Sequence, residues 1–256
     1  MPIAYLRRLS GKHRTASANR DLSLCLAFVA GAANAGGFLA VHQYTSHMTG
    51  IVSAIADHLA VGEMGFVLAG IGALLSFLAG AATSAILINW ARHRDLQSEY
   101  ALSLMLEAAL LLCFGLMGRY LAVHVWLFVP LTVMLLCFIM GLQNAIGTKF
   151  TRSEVRTTHI TGLVTDIGIE LGKMFYWNRS RAKGEAMYVA SDRLRLRFML
   201  TLFTMFISGG LIGALGFKHI GFFTTVPLAL LLMFLALVPV LDDMWAQIKR
   251  TLGEPK

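Results

Sequence analysis

His47-Met48-Thr49-Gly50 recurs 112 residues further on as His159-Ile160-Thr161-Gly162. Upstream of each copy an apolar run ends in an Asn-Ala pair. The first is Gly31-Ala32-Ala33-Asn34-Ala35, and 110 residues later comes Gly141-Leu142-Gln143-Asn144-Ala145. Two features in the same order at nearly one spacing mark an internal duplication. A duplication sets the architecture, so the rest of the chain is read around it.

The chain has 256 residues, of which 57% are hydrophobic and only 14% charged, and its mean hydropathy is +0.67. Soluble domains carry about 25% charged residues. The shortage of charge, together with several long uncharged runs, identifies an integral membrane protein. The formal net charge is +8. The Lys and Arg lie in the connections between apolar runs, where they set membrane orientation. Nucleic-acid binding is not expected, because no separate domain carries a phosphate-neutralising face. Cys25, Cys113 and Cys137 all fall inside apolar runs, without Cys-x-x-Cys spacing. Neither a disulfide nor a zinc site is expected of them.

The predicted fold is all-α: a polytopic membrane helix bundle with six spanning helices plus two short broken or re-entrant helices. The long apolar runs cover about 22–41, 65–90, 101–118, 123–147, 198–217 and 220–241. The stretches 50–61 and 162–177, after each His-x-Thr-Gly, are too short to span. Residues 1–20 form a basic cytoplasmic N-terminal segment, 21–241 a single membrane domain, and 242–256 a cytoplasmic C-terminal tail. The basic start, the first apolar run and Ala33-Asn34-Ala35 also resemble a cleavable leader. Retention is expected instead, because Asn34 belongs to the duplicated pattern. Gly72, Ser76, Gly80 and Ser84 line one face of the second run, and Gly209 and Gly213 repeat that spacing in the fifth. Small residues four apart let helices approach closely in lipid. Pro239 with Asp242-Asp243 reads as the end of the last helix.

Loop charge gives the orientation. With six spans, 20 of the 22 Lys and Arg fall on one side, and only Arg119 and Lys218 on the other. The positive-inside rule then puts both termini on the cytoplasmic side. The duplicated features begin in spans one and four, so each repeat, about 21–118 and about 123–241, is three spans long. An odd number of spans inverts the second copy against the first, as in many transporters. Thr49-Gly50 is thereby expected on the outer side and Thr161-Gly162 on the inner side.

Tyr44-Thr45-Ser46-His47-Met48-Thr49-Gly50, Gly141-Leu142-Gln143-Asn144-Ala145 and Arg156-Thr157-Thr158-His159-Ile160-Thr161-Gly162 together resemble the YoaK-like family of bacterial inner-membrane proteins. That family is a domain of unknown function. The resemblance covers roughly residues 20–245 and implies a polytopic inner-membrane protein. It implies no substrate.

The candidate site follows from the duplication. Asn34, His47, Thr49, Gly50, Asn144, His159, Thr161 and Gly162 are the candidate solute-binding residues. Two readings of each His-x-Thr-Gly stand side by side. It is either a helix start inside the membrane, capped by Thr, or an interfacial turn. A helix start there would favour an anionic or acceptor-rich solute. Asn34, Asn144 and Gln143 either line a polar path or bond across the bundle. Glu107, the one formal charge well inside a span, and Asp166 are candidates for proton coupling. Asp166 and Glu170 are also compatible with a solvated face, with Lys173 within reach of Glu170. No hydrolase, P-loop, zinc-protease or dinucleotide motif is present, so no catalytic residue, metal or cofactor is expected. The function expected is that of a transporter or channel for a small polar or anionic solute. The alternatives are a membrane-embedded enzyme acting on a lipid or isoprenoid, and a non-transporting subunit. The partners expected are the lipid bilayer and a small solute, with homo-oligomerisation left open.

Overall fold

The computed structural model describes residues 7, 9–11, 15–121, 125–150, 160–176 and 189–251. The chain runs through α1 (Ala16–Val41), α2 (Met48–Val61), α3 (Met64–His93), α4 (Ala101–Leu121), α5 (Val125–Phe150), α6 (Ile160–Phe175), α7 (Arg193–His219) and α8 (Thr225–Thr251). Six of these, α1, α3, α4, α5, α7 and α8, are long and apolar enough to cross a membrane. The two short helices begin one residue before the two Thr-Gly pairs and carry them in their first turns.

Helices α1 and α7 begin several residues before the apolar runs, because capping residues extend them. Thr15 accepts a hydrogen bond from the Ala18 N–H at 3.2 Å. Asp192 accepts from the N–H groups of Leu194 and Arg195, each at 3.0 Å. Side-chain oxygens at this position satisfy donors that the first turn leaves unpaired.

The last helix departs from the sequence reading. Neither Pro239 nor Asp242-Asp243 ends it, and α8 continues to Thr251. Proline removes the N–H that would bond to the carbonyl four residues earlier, here Leu235. The Ser10 hydroxyl donates to that carbonyl at 2.5 Å. The freed acceptor is therefore satisfied, and the helix goes on. The aspartates work across the bundle instead. Asp242 accepts from Arg7 at 2.7 Å. Asp243 accepts from the backbone N–H groups of Gln97 and Ser98, both at 2.8 Å, just ahead of α4.

The core lies between α1, α4, α5 and α8, with Leu22, Leu26, Leu104, Leu111, Phe114, Leu136, Met140 and Leu232 fully buried in one cluster. Helices α3 and α7 flank it and turn Leu68, Leu75, Leu78 and Ile86, and Ile207, Leu211, Ile212 and Leu215, outward. Such surfaces are at home against acyl chains.

The closest helix pairs are not neighbours in the chain. Helix α1 packs on α7, and α3 packs on α5. Glycines set both crossings. A methyl group on Gly31 would overlap the Phe206 carbonyl, and one on Gly209 would overlap the Phe28 carbonyl. In the other pair Gly141 meets the Phe77 carbonyl and Gly80 meets the Phe138 carbonyl in the same way. Ser76 and Gly72, also on the small-residue face, are only partly buried.

Candidate solute site

Helix α2 folds back along α3. Gly62, in the left-handed conformation at φ +83°, makes the turn between them. Ile55 lies against Gly70, and Met48 and Ile51 share an apolar cluster with Ala73 and Phe77. The start of α2 thus sits about 20 Å along α3 from that turn, at 1.5 Å per residue. Helix α6 does the same against α7. Its Glu170 accepts from the Asp192 N–H at 2.8 Å, where α7 begins, and Leu163 and Ile167 pack with Met199 and Leu202. Both short helices therefore start beside the middle of a long one and run from there toward its end.

Their starts meet at a cavity of about 800 Å³, walled by Asn34, Tyr44, Ser46, His47, Met48, Thr49, Phe77, Ala81, Asn144, Ala145, Thr148, Ile160, Thr161 and Phe206. Of the residues singled out from the sequence, Asn34, His47, Thr49, Asn144 and Thr161 come together here. Residues 110 to 112 apart in the chain face one space, from two copies of one pattern.

Local chemistry explains each placement. Thr49 is not the cap of α2: His47 holds that position, at φ −93° and ψ 72°, with no side-chain capping bond. The Thr49 hydroxyl is left for the cavity. Gly50 does not line it. A methyl carbon there would lie 2.7 Å from His47 Nδ1, so the glycine makes room for the imidazole ring. Asn34 Oδ1 accepts from the Ser46 hydroxyl at 2.9 Å, which folds the connection after α1 back toward the bundle. Asn144 Nδ2 donates to the Met140 carbonyl at 2.8 Å on its own helix. Gln143 is a bundle residue: it is fully buried and its Nε2 donates to the Leu26 carbonyl of α1 at 3.3 Å. Gly162 is not on the wall. His159 lies outside the described residues.

The two acids stand away from the cavity. Glu107 is fully buried in α4, and neither of its oxygens has a hydrogen-bond partner among the described residues. Asp166 faces Arg195 at 3.4 Å. Glu170 bonds Lys173 at 2.8 Å and the start of α7. The Lys173 ammonium, followed by the Asp192 N–H, holds the Glu170 carboxyl below its ordinary range.

Among the described residues no Asp, Glu, Lys or Arg lines the cavity. Among them, too, no group of three or more His, Cys, Asp or Glu is placed to hold a metal ion. The described wall offers hydroxyls, amides, an imidazole and aromatic surface.

Phe77, Phe206, Tyr44, Ser46, Ala81 and Thr148 also line the wall and were not among the candidate site residues read from the sequence. A signal for two of them exists. Phe77 and Gly80 recur 129 residues on as Phe206 and Gly209, an offset different from that of the His-x-Thr-Gly pair.

Six spanning helices around a polar-edged cavity define a polytopic α-helical membrane protein. More narrowly, residues 22–238 match the model of the family described as Protein of unknown function (DUF1275). The chain belongs to this family, the YoaK-like one that its motifs resemble. No curated protein and no solved structure matches it.

Proposed function

We propose that the protein passes a small polar or anionic solute across the bacterial inner membrane, as a transporter or channel rather than an enzyme, and that the cavity is its binding site. One observation carries this reading: Thr49 and Thr161, each in the first turn of a short helix, line the same cavity near mid-bundle. Unpaired N–H groups and the helix dipole at such ends favour an anion or an acceptor-rich solute.

The reciprocal crossings, α1 on α7 and α3 on α5, support two three-span repeats of opposite orientation. In that arrangement α2 and α6 are half-membrane helices approaching from opposite faces, the design of many secondary transporters. The distribution of Lys and Arg supports cytoplasmic termini. Glu107 and Asp166 stand off the cavity, which favours uncoupled passage over proton coupling.

The test is solute-driven swelling of proteoliposomes, followed by light scattering, with acetate, benzoate, nitrate, urea and glycerol as probes. The protein is expected to accelerate at least one, and Thr49→Val with Thr161→Val to slow it. Liposomes with protein that are no more permeable than empty ones to all five would refute the reading.

A further inference from the structure

Four Phe-x-x-Gly units occur in the spans: Phe28 with Gly31, Phe77 with Gly80, Phe138 with Gly141, and Phe206 with Gly209. A spacing of three puts both residues on one helix face. At the two glycine crossings each Phe carbonyl rests on the partner's glycine, so all four backbones are fixed in place. The rings then divide by repeat position. Phe28 and Phe138 do not reach the cavity, whereas Phe77 and Phe206 line it. These two come from corresponding positions of α3 and α7. Beside them stand the apolar Met48, Ile160, Ala81 and Ala145. An interior normally fills such space to crystal-like density. Here a large opening is kept between two aromatic side chains on rigid crossings and a set of amides and hydroxyls.

We propose that Phe77 and Phe206 are specificity-determining residues, and that the solute is a small molecule with a flat ring and one carbonyl-type polar group, an aromatic carboxylate or carboxamide. The inference rests on the reading of the cavity as a solute site. The rings take the apolar body, and Asn34, Thr49 and Thr161 bond the polar group. The described wall offers amides, hydroxyls and an imidazole, which suit one small polar or singly charged group.

The experiment measures binding to the purified protein in lipid nanodiscs by saturation-transfer NMR, with empty nanodiscs as the blank. The probes are benzoate, benzamide, acetate and acetamide. The ring-bearing probes are expected to bind at least about tenfold more tightly than their methyl counterparts, the scale of one good aromatic contact plus ring burial. Whichever of benzoate and benzamide binds better assigns the charge state. Phe77→Leu and Phe206→Leu keep apolar volume but lose the ring, and each is expected to remove most of the ring preference. Phe77→Tyr is expected to retain it. Thermal melts of each variant identify any that fails to fold. Ring probes that bind no better than acetate and acetamide overturn the proposal, as do Leu variants with the full ring preference. Acetate swelling without ring preference leaves transport standing and removes this inference. Ring-selective binding with no flux of any probe keeps the recognition site and removes transport.

Discussion

The carbonyl oxygen of Phe206 lies over the Cα of Gly31, where any side chain would overlap it. The obstacle is backbone, so no flexible atom can yield. Gly31→Ala is therefore expected to destabilise the fold by about 1–3 kcal/mol, the usual cost of overpacking. Gly141→Ala, facing the Phe77 carbonyl at the other crossing, is expected to do the same. Gly168 in α6 has open space where a methyl group would go, and Gly168→Ala is expected to be neutral or stabilising. Thermal midpoints of the purified variants check all three; a Gly31→Ala protein as stable as the parent would remove the crossing as a fixed point.

The bond from Ser10 to the Leu235 carbonyl exists because Pro239 leaves that carbonyl free. Ser10→Ala is expected to cost about 1 kcal/mol in the parent. In a Pro239→Ala background the helix supplies its own N–H, so Ser10→Ala is expected to cost less. A double-mutant cycle reads the difference. Equal costs in both backgrounds would mean that the hydroxyl serves something else.

Glu170 ties α6 to the start of α7 through Ser191 and the Asp192 N–H, and it pairs with Lys173 on its own helix. Its folded pKa is lowered from 4.5, mainly by Lys173 and then by the Asp192 N–H. A lowered folded pKa contributes stability that is complete above the unfolded value and is lost as pH falls through the folded one. Amide protection at the start of α7, taken relative to the intrinsic exchange rate at each pH, is thus expected to be full at pH 7 and to fall once pH drops below the ordinary carboxylate range. Glu170→Gln is expected to lower that protection at neutral pH and flatten its pH dependence.

Glu107 has no hydrogen-bond partner among the described residues and is fully buried. An unmatched polar group in a dry core costs about 1–3 kcal/mol. Glu107→Leu, close in volume, is expected to raise the thermal midpoint. Loss of stability instead would reveal a partner for the carboxyl group.

Much of the fold was legible because hydropathy over about 20 residues reports spanning length directly. The six spans were placed that way, and α1 and α7 were underestimated only where Thr15 and Asp192 extend them over polar residues. Pro239 misled because its remedy, Ser10, is remote in the chain. Helix pairing was not legible: small residues decide which helices approach in lipid, and chain order does not. At the site, the duplicated polar residues Asn34, Asn144, Thr49 and Thr161 identified one another. Phe77 and Phe206 escaped because an aromatic in an apolar span looks like any other lipid-facing residue. Only the cavity wall, which Phe77 and Phe206 reach and Phe28 and Phe138 do not, distinguishes them.

The central claim is that Thr49 and Thr161 face one solute-accessible space within the membrane. It is tested by replacing Cys25, Cys113 and Cys137 with Ser and adding Thr49→Cys or Thr161→Cys, with Leu75→Cys as the lipid-facing control. Intact membranes are then treated, from each side, with a charged thiol reagent. Both threonine positions are expected to react, from one side or the other, while Leu75→Cys does not. Threonine positions as unreactive as Leu75→Cys from both sides would contradict the account.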